Sequence, residues 1–344
     1  MVLTSRGEAI DFAGAHLYSR STFDKVIMTA DVILLLLGLG ILTLGADVLV
    51  RGGSSLARHL GMTPLLVGLT VVAFGTSMPE MLVSVGGSLK GQDELALGNV
   101  VGSNIFNVGF ILAIIALISP INIKYSVLKL DAPAVIVTAL IAVVVAYSGL
   151  VSRFEGFLLL LLLFAYTFVN IRLARSEVKT EVTSEFEEGI PKPTKSIWLD
   201  VALIFGGLIL LMLGSHFLLG SATRIAQMLN ISDAVIGLTI VAAGTSTPEL
   251  ATSVVAAIRK HSDIAIGNVI GSNVFNILGI LGLSTIVKPL SLSNFSFGDF
   301  WVMVVFSIAI LPLMWTSRKL CRWEGGLLLL GYILFVWSRW PNSA

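Results

Sequence analysis

Two segments combine residue types that could hold a cation: Gly75-Thr76-Ser77-Met78-Pro79-Glu80 and Gly244-Thr245-Ser246-Thr247-Pro248-Glu249. Each sets a carboxylate and hydroxyls inside a long apolar stretch, where an ionisable group is costly and marks function. Pro79 has no N–H, so the carbonyl of Gly75 loses its helical partner, and Gly75 makes the bend cheap. A broken helix at membrane depth is tolerated only where it is buried in protein or lines a cavity, and carbonyls freed there are oxygen ligands. Helical spacing aligns Ala73, Thr76, Ser77 and Glu80 on one face. Ala242, Thr245, Ser246 and Glu249 repeat that face. In the stretch that follows, Asn99, Ser103 and Asn107 recur every four residues, with Ser272 and Asn276 in the second copy.

These residues form a cage of carboxylates, hydroxyls, amides and backbone carbonyls, with nothing soft in it. Oxygen ligation without His or Cys suits Ca²⁺, Mg²⁺ or Na⁺ and argues against zinc or copper. Glu80 and Glu249, both ionised, fix a charge of −2, which one Ca²⁺ or several Na⁺ would neutralise. Mutually exclusive occupancy is therefore a sensible exchange cycle, and the cost of empty carboxylates in hydrocarbon would discourage return without cargo. No cofactor beyond the transported ions is expected. The single cysteine, Cys321, makes no internal disulfide, and no Cys or His cluster has metal-ligand spacing.

The elements that must position this cage are membrane spans. The chain has 344 residues, 56% hydrophobic and 12% charged, with mean hydropathy +0.94, too apolar for a soluble surface. A net charge of +1 without a basic stripe speaks against nucleic acid as a partner. A span needs about 20 apolar residues, and ten such blocks fall near 32–57, 64–89, 95–118, 128–150, 154–174, 199–228, 233–257, 264–287, 299–317 and 324–340. Residues 1–31 read as a polar tail and 175–198 as a charged linker between two halves, 32–174 and 199–344.

The halves are copies. Gly68–Glu80 (GLTVVAFGTSMPE) returns 169 residues later as Gly237–Glu249 (GLTIVAAGTSTPE), and the same ungapped shift places Leu95–Asn107 on Ile264–Asn276. Five spans per half is an odd number, so the repeats are inverted, an arrangement that puts substrate sites near the midplane between them. The expected fold is an all-α polytopic membrane protein of ten transmembrane helices in two inverted five-helix repeats with broken central helices. With the termini outside, 14 of the 22 Lys and Arg fall on the inner side, so the charge bias makes the linker cytoplasmic.

With its paired GTSxPE and GNxxGSN blocks, the chain resembles the sodium/calcium exchanger family of the cation/calcium antiporters, over nearly all its length from about residue 32. The resemblance implies alternating access and ion ligands at Glu80, Glu249, Thr76, Thr245, Ser77, Ser246, Ser103, Ser272 and Asn107, with the carbonyls of Ala73 and Ala242. Members often carry aspartate where this chain has Asn276, which matches Asn107 in the first half. The form resembles prokaryotic members, since 175–198 is too short for a large regulatory loop.

The expected activity is Ca²⁺/Na⁺ antiport in the plasma membrane, without catalysis and without an obligatory protein partner. A proton-coupled or potassium-dependent antiporter of the same fold is the alternative, and a cation channel a remoter one. A serine hydrolase built on Ser77 or Ser246 lacks a base, because neither His216 nor His261 lies in a repeated motif. Asn99, Asn104, Asn268 and Asn273 read as bridges between helices, and Phe106 and Phe275 as packing. Asp47, four residues before Arg51, reads as a local ion pair, and Asp31, Asp131, Asp200 and Asp299 as helix-start caps. Trp337 and Trp340 suit an interfacial belt.

Overall fold

The computed structural model describes residues 12–181, 194, 196–229, 242–293, 295–316 and 318–339. Seven of its helices are long and apolar enough to cross a membrane, and an eighth span is the bent pair Pro64–Thr76 and Met78–Leu89, broken by 47°. The bend falls where Pro79 enters the second helix of the pair. The span expected near 233–257 is described only from Ala242, as the turn Ala242–Thr245 and the apolar helix Thr247–Ile258; residues 230–241 lie outside the described set, as does most of the linker. The last helix, Arg322–Arg339, has 18 residues.

The first helix of the chain and its counterpart in the second half run antiparallel. The first helix (Phe12–His59) is already helical within the expected tail, and it packs along Ile197–Met228 on a seam of glycines. Gly45 lies against Gly207 and Gly38 against Gly214. A Cβ on Gly45 would sit 2.8 Å from Leu211 N, and one on Gly207 2.7 Å from Leu49 N. Such seams let membrane helices gain close dispersion contact where lipid supplies no hydrophobic drive. A second seam joins Gly267 and Gly271 of Ser262–Phe275 to the backbone of Leu65 and Leu69. The positions that the 169-residue shift matches to Leu65 and Leu69, 234 and 238, lie outside the described residues.

Two short ladders that the all-helical expectation did not include tie the halves together: Ile121–Asn122 pairs Lys319–Leu320, and Leu150–Val151 pairs Leu290–Ser291. The same 169-residue shift relates one ladder to the other.

The aspartates expected as caps act otherwise. Asp31 lies inside the first helix and pairs with Arg224 at 2.7 Å. Asp200 is buried in the first turn of Ile197–Met228, held by His59 Nδ1 at 2.5 Å and Thr194 Oγ1 at 2.7 Å. Asp131 accepts from Tyr166, and Asp299 pairs with Arg339. Each tie runs from one helix to another segment, and a carboxylate gains more from a charged or hydroxyl partner than from a neutral backbone amide. Asp47 does bind Arg51 at 2.8 Å, and it binds Arg259 of the other half as well.

Candidate cation-binding site

Ser77 and Ser246 stand at the breaks in nearly identical backbone conformations, φ −83°, ψ 9° and φ −86°, ψ 11°. This sparsely populated bridge region recurs at functional sites. Each break starts a new helix, so Glu80 and Glu249 fall in first turns, where the helix dipole favours negative charge. Two helix N-termini thus meet at one place, each carrying a carboxylate.

The halves hold each other's carboxylates. Ser77 Oγ donates to Glu249 Oε1 at 2.8 Å, and Ser246 Oγ donates to Glu80 Oε1 at 2.9 Å. Ser272 Oγ lies 3.1 Å from Ser77, and Ser103 Oγ 3.1 Å from Ser246. Thr76 donates to Asn268 Oδ1 at 3.1 Å and Thr245 to Asn99 Oδ1 at 3.2 Å. Asn99 Nδ2 in turn donates to the carbonyl of Glu80 at 3.0 Å and to Ser84 Oγ at 2.8 Å. Asn268 does the same for Glu249 and Ser253, at 3.3 and 2.9 Å.

Eight of the expected site residues therefore fall in two matching chains of contacts, Thr76, Ser77, Ser272 and Glu249 in one and Thr245, Ser246, Ser103 and Glu80 in the other. Asn107 and Asn276 are buried beside them and open wide π-helical turns, Asn107–Leu112 and Asn276–Leu281, a feature that recurs at functional sites. The carbonyl of Ala73 accepts from Ser77 N at 3.0 Å and lies 3.3 Å from Thr76 Oγ1, and Ala242 opens the matching turn. The freed carbonyls are not alike: that of Gly244 accepts from Ser215 Oγ at 2.9 Å, so it is not a spare ligand.

Glu80 Oε2, Glu249 Oε2, Asn107 Oδ1 and Asn276 Oδ1 are buried without a hydrogen-bond partner. Buried oxygens in this condition cost stability unless something positive satisfies them. They are hard ligands and come equally from both halves. Among the described residues no group of three or more His, Cys, Asp or Glu could hold a metal ion; the oxygens gathered here belong to two carboxylates and to neutral groups.

Asn99 and Asn268 have a sharper role than the helix bridges the sequence suggested: each clips its own half's glutamate backbone to the opposite half's threonine. Their spacing with Ser103 and Ser272 was the available signal. Phe275 packs edge-on against Phe74 with centroids 5.2 Å apart, and Phe106 stacks on Phe110, as packing residues do.

Comparison with known proteins agrees with this geometry. The family described as Sodium/calcium exchanger protein matches the chain twice, at residues 31–172 and 199–340. Sodium/calcium exchanger MaX1 of Methanosarcina acetivorans is 35% identical over 90% of this chain and 98% of its own length. Inner membrane protein YrbG of Escherichia coli is 36% identical over 81% of this chain and 87% of its own. A solved structure of the sodium-calcium exchanger NCX_Mj, soaked with Na⁺ and Ca²⁺, superposes with TM-score 0.77 at 33% identity, covering 90% of this chain and 98% of that one. The chain is thus a multi-pass membrane transporter, not an enzyme, and belongs to the sodium/calcium exchanger family.

Proposed function

We propose that the protein exchanges Ca²⁺ for Na⁺ by alternating access, with Glu80 and Glu249 as the bridging ligands of one shared site. The observation that carries this reading is the reciprocal hold: each carboxylate offers one oxygen to the other half's serine and leaves one buried oxygen unpaired. Ca²⁺ takes six to eight oxygens and tolerates irregular geometry, a demand met by two carboxylates with Ser77, Ser246, Ser103, Ser272, Thr76, Thr245, the amide oxygens of Asn107 and Asn276, and the carbonyls of Ala73 and Ala242. A fixed charge of −2 balances one Ca²⁺ or a group of Na⁺. Neither state leaves the carboxylates bare, so the two occupancies alternate without a resident cofactor.

The frame is ten spans in two inverted five-helix repeats, with the linker on the cytoplasmic face, both termini opposite and the chain in the plasma membrane. The antiparallel glycine seam and the two ladders support the inversion. Ca²⁺ efflux down the sodium gradient is the direction assigned.

The test is ⁴⁵Ca²⁺ flux in proteoliposomes under separately imposed Na⁺, K⁺ and H⁺ gradients. The sodium gradient alone is expected to drive calcium uptake. Uptake driven by a pH gradient in sodium-free buffer would replace this reading with the proton-coupled one, a requirement for K⁺ with the potassium-dependent one, and rapid release without any exchanging cation with a channel.

A further inference from the structure

The site is symmetric, but its surroundings are not. The first helix packs along Thr247–Ile258, the helix that leads from Glu249 to the linker face. Its counterpart Ile197–Met228 barely touches Met78–Leu89, which leads from Glu80 to the opposite face. Among the described residues, nothing comes within 4 Å of a Cβ placed on Gly86 of that helix. Among the described residues, the helix that leads from Glu249 is thus packed against the first helix, while the helix that leads from Glu80 lacks the matching cover from Ile197–Met228.

One pair of charges sits where the covering helix meets the end of the Glu249 helix. Asp47 Oδ1 binds Arg259 Nη2 at 2.7 Å, and Asp47 Oδ2 binds Arg51 at 2.8 Å. Arg259 caps Thr247–Ile258, so the pair bolts the end of the Glu249 helix to the first helix. In an inverted repeat the opposite-facing state is reached by exchanging the roles of the halves. The 169-residue shift carries Asp47 to His216 and Arg259 to Lys90. Those are two bases, which form no ion pair.

We infer that Asp47 and Arg259 form a one-sided latch that holds the linker face closed and biases the protein toward accepting cations from the opposite face. The inference rests on the alternating-access reading. Only the conformation with the first helix on the Glu249 helix contains the pair, so its energy enters the equilibrium between the two states once, with no counterweight. A partly exposed carboxylate shared by two guanidinium groups shifts such an equilibrium by about threefold to tenfold.

Hydrogen–deuterium exchange on the full-length protein in lipid nanodiscs reads the latch without requiring transport. Asp47→Asn and Arg259→Gln are each expected to speed exchange of the amides at 250–259 by about threefold to tenfold, and the double variant to add nothing further. His216→Asp supplies an acid that can meet Lys90 in the opposite-facing state, and is expected to favour that state and slow exchange at 81–90. Unchanged exchange at 250–259 in Asp47→Asn, with wild-type exchange at 132–146, would overturn the latch. So would additive single effects, or a His216→Asp variant that leaves 81–90 unaltered. In proteoliposomes the ratio of half-saturating Ca²⁺ at the two faces should move by the same factor. Altered exchange in a protein that carries no calcium flux would sink the antiport reading and leave the latch standing.

Discussion

Ser77 reaches Glu249 at 2.8 Å and Ser246 reaches Glu80 at 2.9 Å, yet one turn beyond the glutamates the halves part company. Val83 in the first half corresponds to Thr252 in the second, whose buried hydroxyl has no partner. Ala46 corresponds to Ser215, which satisfies the carbonyl of Gly244, and Asp47 corresponds to His216. The contrast separates two tasks. A site that serves both faces must present the same ligands to each, so the residues around the carboxylates repeat in kind and in conformation. The helices that cover it differ, and that difference can favour one face over the other without altering what is bound.

The widest test of this division is to damage the two halves equally. Glu80→Gln and Glu249→Gln each remove half of the fixed charge, and each is expected to lower calcium flux by at least about 100-fold, roughly 2.7 kcal/mol. A large loss in one and none in the other would break the symmetry of the centre. Next come Ser77→Ala and Ser246→Ala, which each delete a hydrogen bond to a charged group worth about 1.5–3 kcal/mol. The two should weaken apparent calcium affinity by similar factors, about tenfold to 100-fold, measured as half-saturating Ca²⁺ for uptake.

Stability separates the seam from the lipid face. Gly45→Leu would drive a side chain into the backbone of the opposite helix and is expected to cost about 1–3 kcal/mol or more, whereas Gly40→Leu, with nothing described within 4 Å, should leave the thermal transition nearly unchanged. A smaller loss than at Gly45 is expected from Ser215→Ala, which makes the second half resemble the first at Ala46 and should cost about 1 kcal/mol. A null result there would mean the Gly244 carbonyl finds another donor.

Much of the centre was legible because a duplicated motif labels its own parts. Glu80, Glu249 and the serines at the breaks stood out from residue type, proline position and the 169-residue shift. What stayed hidden depends on contacts between halves, which periodicity within one helix does not encode. The serine-to-carboxylate crossing, the clips made by Asn99 and Asn268 and the tie from Asp47 to Arg259 are all of this kind. Asp31 and Asp200 misled for a related reason: they sit near apparent helix starts, but their partners Arg224 and His59 lie on another helix. The glycine seam was present in the sequence as Gly38, Gly45, Gly52, Gly207 and Gly214, and only the antiparallel packing shows which faces meet.

Equilibrium binding of ⁴⁵Ca²⁺ to the purified protein in sodium-free buffer tests the shared site most directly. One calcium per chain is predicted, lost alike in Glu80→Gln and in Glu249→Gln and competed by Na⁺. Two calcium ions per chain, each removed by only one of the variants, would show that the halves bind separately and would contradict the account.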